Sequence, residues 1–278
     1  MPTFDTPEPI SLTLEFDMGS ARVVAGDRAD TVVEVLPRNG ADDNDMQAAQ
    51  QTKVTFSGGK LLVKSPRKRS LFGRPGSLDI TVELPAGSDV QGSSPMADLT
   101  AEGPLGHCEF RTSLGDLQVQ RAATVRLRTS HGDVTVGRVE GVAEVSGAGR
   151  IDIGSLGAEA AVRNGNGDTS VGEAHGDLKV NSANGRVSVD VAHASVDAKS
   201  ANGHIRVGDV ARGRITLRTA AGDLEVGIRE STAAWLDVRT SVGSVLNSLG
   251  PAQGPEGAAE TVEVRADTSV GDIVVRRA

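Results

Sequence analysis

Short runs of alternating apolar and polar residues recur along most of this chain. Examples are Leu117-Gln-Val119, Val134-Thr-Val136, Ile151-Asp-Ile153, Val187-Ser-Val189, Ile205-Arg-Val207 and Leu224-Glu-Val226. Apolar residues at period two mark a strand with one buried face. A second alternating run follows at a distance, as in Glu159–Val162, Asp177–Val180, Ser195–Ala198 and Arg214–Leu217. Between them the chain is punctuated by Gly115, Gly132, Gly149, Gly167, Gly185, Gly203, Gly222, Gly243 and Gly271, in steps of 17, 17, 18, 18, 18, 19, 21 and 28 residues. Self-similarity at a fixed period means one structural unit stacked many times. Two strands and two corners use about 18 residues, which matches the step. The pattern predicts an all-β fold, a single-stranded parallel β-helix or β-solenoid with two main strands per coil. The usual crossover rule makes it right-handed.

The register makes further predictions. Three residues before each glycine stands a short polar side chain: Thr112, Thr129, Ser146, Asn164, Ser182, Ser200, Thr219, Thr240 or Thr268. Stacked at equivalent positions, these can satisfy backbone groups at successive corners. Asn166, Asn184 and Asn202 are expected to form a short amide ladder. Directly after the glycines the charge alternates from Asp133 through Arg150 and Asp168 to Arg186. Residues stacked about 4.8 Å apart would then attract rather than repel.

The first third is less regular. Residues 1–90 read as a capping region of the same stack, with loops at 38–52 and 64–77, and residues 91–278 as the regular coils, with a loop insertion at 247–260. Terminal units of a stack are atypical because one face has no neighbour. Ser57-Gly-Gly-Lys60 predicts a hairpin turn. Residues 41–51 read as a short helix with an acidic start or as a surface loop. Cys108 and Phe110 fall on core positions, and Trp235 reads as a cap or core filler. Asp267–Val275 is expected to close the stack, with Arg276 and Arg277 at its open edge.

Composition narrows the class. Aromatic residues are 2% of the 278, with no Tyr and one Trp, as suits a narrow core of small aliphatics. A net charge of −8 argues against nucleic acid, where phosphate neutralisation supplies most of the binding. One cysteine allows no intrachain disulfide. No apolar run approaches the roughly 20 residues of a membrane helix, so no integral membrane segment is expected. Residues 1–9 lack a signal-peptide pattern, and a cytoplasmic location is the expectation.

Candidate chemistry is sparse. Asn164-Gly-Asn-Gly-Asp-Thr-Ser-Val171 approaches a calcium β-roll repeat, but the other half-coil lacks the paired loop, and too few oxygens gather for six to eight ligands. Calcium is therefore not expected. Carbohydrate-active β-helices need clustered carboxylates, whereas this ladder is interrupted by Arg150, Arg186 and His204. The five histidines (His107, His131, His175, His193 and His204) read as falling at unrelated offsets. The expectation is no catalytic residues, no metal and no cofactor. The one basic cluster is a candidate partner-contact loop of Lys64, Arg67, Lys68, Arg69 and Arg74, with Leu71 and Phe72 as its apolar tip.

The reiterated Ser/Thr-x-x-Gly-Asp-Val-x-Val-Gly phrase, with an opening like Phe16-Asp-Met-Gly-Ser-Ala-Arg-Val-Val24, resembles the bacterial β-strand-repeat family known as "putative adhesin", a domain of unknown function. The resemblance covers roughly residues 10–277 and implies a parallel β-helix. It brings no catalytic residues with it. The functional expectation is a non-catalytic interaction, scaffold or adhesin-like module with an unidentified protein partner. A self-assembling solenoid and a carbohydrate-active β-helix enzyme are the alternatives.

Overall fold

The computed structural model describes residues 1–66, 74–250 and 260–278. It contains two compact units, Met1–Val139 and Glu140–Ala278. Each is built mainly of parallel strands stacked coil upon coil, so the fold is the all-β solenoid that the periodicity predicts.

In the second unit the two sheets are regular. One runs through Ala143–Gly147, Ala160–Asn164, Leu178–Asn184, Val196–Asn202 and Gly213–Ala221, each parallel to the next. The other runs through Ile151–Leu156, Thr169–Ala174, Val187–Ala192, Ile205–Val210 and Leu224–Ile228. Equivalent residues lie atop one another: Ile153 on Val171, Val171 on Val189, Val189 on Val207. The inward ladders are closed to solvent, with Val162, Val171, Val180, Val187 and Val207 all fully buried. Each such side chain contributes about 1.5–3 kcal/mol of burial free energy.

The glycines are fixed by the stacking itself. Gly185 has φ +110°, and a Cβ there would overlap the carbonyl oxygen of Gly167 one coil away. Gly222 has φ +145° and stands in the same relation to Gly203. An L side chain is excluded twice, by its own backbone and by its neighbour's.

The short polar ladder does what its position suggests. Thr129 donates its hydroxyl to the Gly115 carbonyl at 3.0 Å, and Thr219 to that of Gly203 at 3.1 Å. The Asn164 amide donates to Gly149 at 3.0 Å. Asn202 donates to Asn184 Oδ1 at 3.1 Å, which is the amide ladder in part. The aspartates after the glycines also serve the backbone. Asp116 accepts from the backbone N–H of Asp133, and Asp168 from that of Arg186, both at 2.8 Å. They tie corner to corner through the backbone.

The end of the chain departs from sequence order. Glu260–Val270 pairs with Gly213–Ala221 on one side and with Thr232–Val242 on the other. Ile273–Arg277 likewise lies between Leu224–Ile228 and Val245–Asn247. The last coil in sequence is therefore inserted ahead of the one before it. Arg276 and Arg277 do not guard an open edge: Arg276 binds Glu225 at 2.9 Å, and Arg277 donates to the Arg229 carbonyl at 2.8 Å. The predicted loop insertion at 247–260 falls mostly on residues 251–259, which lie outside the described residues.

The first unit mixes coils with antiparallel additions. Met18–Gly26 lies parallel between Ser77–Pro85 and Asp89–Leu114, and Asp89–Leu114 pairs parallel with Leu117–His131. Asp30–Pro37 then pairs antiparallel with Ser77–Pro85 and with Thr3–Asp5. On the other sheet the hairpin Lys53–Ser57/Lys60–Lys64 turns at Gly58 and Gly59, both at positive φ, and lies parallel to Ser11–Glu15. The helix Asp43–Gln51 has Asp42 as its N-cap and packs on Asp30–Pro37 and Ser77–Pro85. Buried Asp45 holds it there, accepting from the N–H of Ser77 at 2.8 Å and of Asn39 at 3.1 Å. Cys108 and Phe110 are core residues, both fully buried. Burial pushes the Cys108 thiol up to about 12.

Candidate functional site

Three regions bear on function: the basic loop, a histidine ladder and an uncovered strand. The two described members of the basic loop are engaged at its base. Lys64 pairs with Glu15 at 2.6 Å and Arg74 with Asp42 at 2.8 Å. Arg67, Lys68, Arg69, Leu71 and Phe72 lie outside the described residues.

The histidine ladder was missed by the offset reading of the sequence, which placed the five histidines at unrelated positions. His175 and His193 each lie eight residues after a punctuating glycine, Gly167 and Gly185, so stacking brings them together. They follow the strands Thr169–Ala174 and Val187–Ala192, at the same corner of successive coils. Their rings stack at 4.7 Å between centroids and 3° between planes. Both turn Nε2 toward Glu173: His193 at 2.8 Å from Oε1 and His175 at 3.5 Å from Oε2. The His193 hydrogen bond, aided by the nearby charges of both rings and opposed by partial desolvation, holds the Glu173 carboxyl below its usual range. The corner is half-open, with side-chain exposures of 29% for His193, 44% for Glu173 and 47% for His175.

The third region follows from the inserted coil. Thr232–Val242 pairs with Glu260–Val270 on one side, and no described strand pairs with its other side. Val245–Asn247 is in the same position on the second sheet. This coil carries exposed apolar side chains: Trp235 at 56%, Val242 at 63% and Leu246 at 58%. Trp235 is thus no core filler but lies on the outward face of this end coil, its ring 5.8 Å from the Arg265 guanidinium carbon. Asp237 and Arg239 pair at 3.1 Å on the outward face of the same strand.

The antiparallel strands of the first unit are finished differently. Thr3–Asp5 is only three residues long, and Lys53 and Lys64 face each other across the hairpin. Phe4 and Phe56 meet at 5.2 Å. Short, lysine-bearing edges resist pairing with another chain. Thr232–Val242 is 11 residues long and carries no lysine.

The crystal structure of a "putative adhesin" from Parabacteroides distasonis is similar at 12% identity, over 98% of this chain and 95% of that one, with a TM-score of 0.43. One from Parabacteroides merdae gives 11% identity, 98% and 94% coverage and 0.41. One from Bacteroides fragilis gives 11%, 99% and 95%, and 0.38. No curated protein matches the sequence. The family profile described as Toastrack DUF4097 matches residues 22–276. That span takes in all nine punctuating glycines and most of the coils, and the chain belongs to the Toastrack DUF4097 family, a family of unknown function.

Proposed function

We propose that this chain is a non-catalytic interaction module that assembles through the uncovered strand Thr232–Val242. The observation that carries the reading is the free edge itself. The Val242 carbonyl accepts from Gly271 at 2.9 Å, so it faces the neighbouring strand. The strand bends at Ser241, and along its straight part the direction follows the equivalent coils, where the Ser195 carbonyl accepts from Leu178 of the preceding coil and Asp197, Thr216, Arg265 and Asp237 share one register. The N–H and C=O groups of Leu236, Val238 and Thr240 therefore face away from the neighbour. Such a row is a template for one more strand.

The occupant that fits is the same strand of a second copy, related by a two-fold axis at Val238. Asp237 then lies opposite Arg239 of the second copy, and Trp235 opposite Ser241. These are the non-hydrogen-bonded pairs, whose side chains lie closer together, while Leu236, Val238 and Thr240 exchange the backbone hydrogen bonds. Leu236 falls opposite Thr240 and Val238 opposite itself, which continues the inward apolar face. Axes at Asp237 or Arg239 would set like charges against each other. Opposite charges directly across an antiparallel pair contribute about 0.2–1 kcal/mol each, and like charges cost a similar amount. The arrangement is isologous, and a two-fold contact of this kind closes at a dimer.

A catalytic reading has less support. The aspartates that might serve as acid and base are engaged with backbone N–H groups, as Asp116 is with Asp133 and Asp168 with Arg186. A hollow of about 450 Å³ on the second unit mixes Glu159, Asp177 and Asp197 with Lys179, Lys199 and Arg218.

Sedimentation velocity across a concentration series tests the assembly. The wild type should pass from the 28.6 kDa monomer to a dimer. Asp237→Arg should weaken the dimer, and adding Arg239→Asp should restore it. A wild type that stays monomeric at high concentration, or a dimer indifferent to Asp237→Arg, would overturn the proposal. An edge filled instead by another protein's strand would appear as a monomer here.

A further inference from the structure

The corner formed by Glu173, His175 and His193 gathers a different kind of chemistry, and we infer that it is a binding site for a divalent transition metal of the zinc class. One ligand atom from each residue lies within 4.8 Å of the other two. The two ring nitrogens converge on the two oxygens of one carboxylate, at 2.8 and 3.5 Å. Zinc holds nitrogen and oxygen ligands at about 2.0–2.2 Å, so neighbouring ligand atoms in a tetrahedral shell lie roughly 3.4 Å apart. The two measured separations bracket that value. The imidazoles are spaced by the coil repeat and close on a common ion by tilting their rings.

The donor set selects the ion. Two imidazoles and one carboxylate suit zinc, nickel or copper, whereas calcium and magnesium require a cage of oxygens. Glu173 brings a negative charge to the point of convergence. Arg212 lies close by, but its Nε donates to the His193 backbone carbonyl at 2.8 Å, which holds the corner without occupying either ring nitrogen. The coil also fixes His193 through its N–H, donated to the Ala174 carbonyl at 2.9 Å, and His175 through its N–H to the Leu156 carbonyl at 2.8 Å. Three protein ligands on the surface leave a fourth position for water or for a side chain of a bound partner.

Titration calorimetry of the chelator-stripped full chain with zinc chloride tests the site, together with NMR of the histidine ring protons. The expected result is saturable binding of one zinc per chain, with the ring signals of His175 and His193 shifting first. Binding should be lost in His175→Ala/His193→Ala and weakened in Glu173→Gln, while calcium chloride should not compete. All three side chains are partly exposed, so unchanged circular dichroism should show that the variants keep the coil. Failure of zinc to saturate, or equal binding by the double histidine variant, would overturn the site. In the latter case His107, His131 or His204 would account for the metal. Neither result bears on assembly through Thr232–Val242.

Discussion

Asp272 accepts a hydrogen bond at 2.8 Å from the backbone N–H of Ser244, 28 residues earlier in the chain. The N–H of Asp272 itself is donated to Asp223, also at 2.8 Å. The spatial order is therefore Asp223, Asp272, Ser244, while the sequence order places Ser244 between the other two. This inversion exposes Thr232–Val242, and it supplies the edge on which the functional reading rests.

Corner glycines are predicted to be unequal. Gly185→Ala should destabilise the chain by about 1–3 kcal/mol or more, because it combines a positive φ with overlap on the Gly167 carbonyl. Gly165→Ala should be close to neutral: φ there is not positive, and the nearest atom to a Cβ is that of Ala148 at 3.5 Å. Urea denaturation of the two variants would decide it, and equal losses would show that stacking does not impose the glycine.

Cys108 is predicted to be chemically silent in the folded chain. Its thiol is fully buried and raised to about 12, and the thiolate is the reactive form. A thiol reagent at neutral pH should react only at the rate of unfolding and readily in denaturant. Fast labelling of native protein would contradict the core placement.

Stability should fall on acidification. Arg214, and then Arg265, hold Glu263 below its usual value of 4.5, and Arg28 holds Asp30 below 3.8. A carboxyl depressed in the folded state stabilises above its unfolded pKa, and that contribution is lost as pH falls through the depressed value. The urea midpoint should therefore drop below about pH 4.5, and Glu263→Gln should reduce the drop. An unchanged pH profile in that variant would remove Glu263 from the explanation.

The periodic two-thirds of the chain was legible because each coil repeats the same physical constraints. Val171 must face the core, Gly185 must clear Gly167, and Thr219 must reach the carbonyl of Gly203. The exchange of the last two coils was not legible, because Thr232–Val242 and Glu260–Val270 both carry the strand period. Pairing preference between them depends on contacts across coils, such as Arg214 with Glu263 at 2.8 Å, that no local pattern encodes. The histidine corner was legible in principle. Its signal is the shared offset of His175 and His193 from their glycines, visible only when histidines are counted in the same register as the apolar residues.

The antiparallel additions in the first unit left a weaker trace. The Gly58-Gly59 turn marks one of them, but nothing local distinguishes Asp30–Pro37 as antiparallel rather than another coil strand. The helix is settled by Asp45, whose burial against Ser77 is a tertiary contact.

The claim beneath the functional reading is that Glu260–Val270 lies between two coils rather than at the end of the stack. Residue-resolved nuclear Overhauser contacts from Arg265 test it directly. The account predicts contacts from Arg265 to both Thr216 and Asp237, with none between Thr216 and Asp237. Direct contact between Thr216 and Asp237, with Arg265 on the outside, would contradict it.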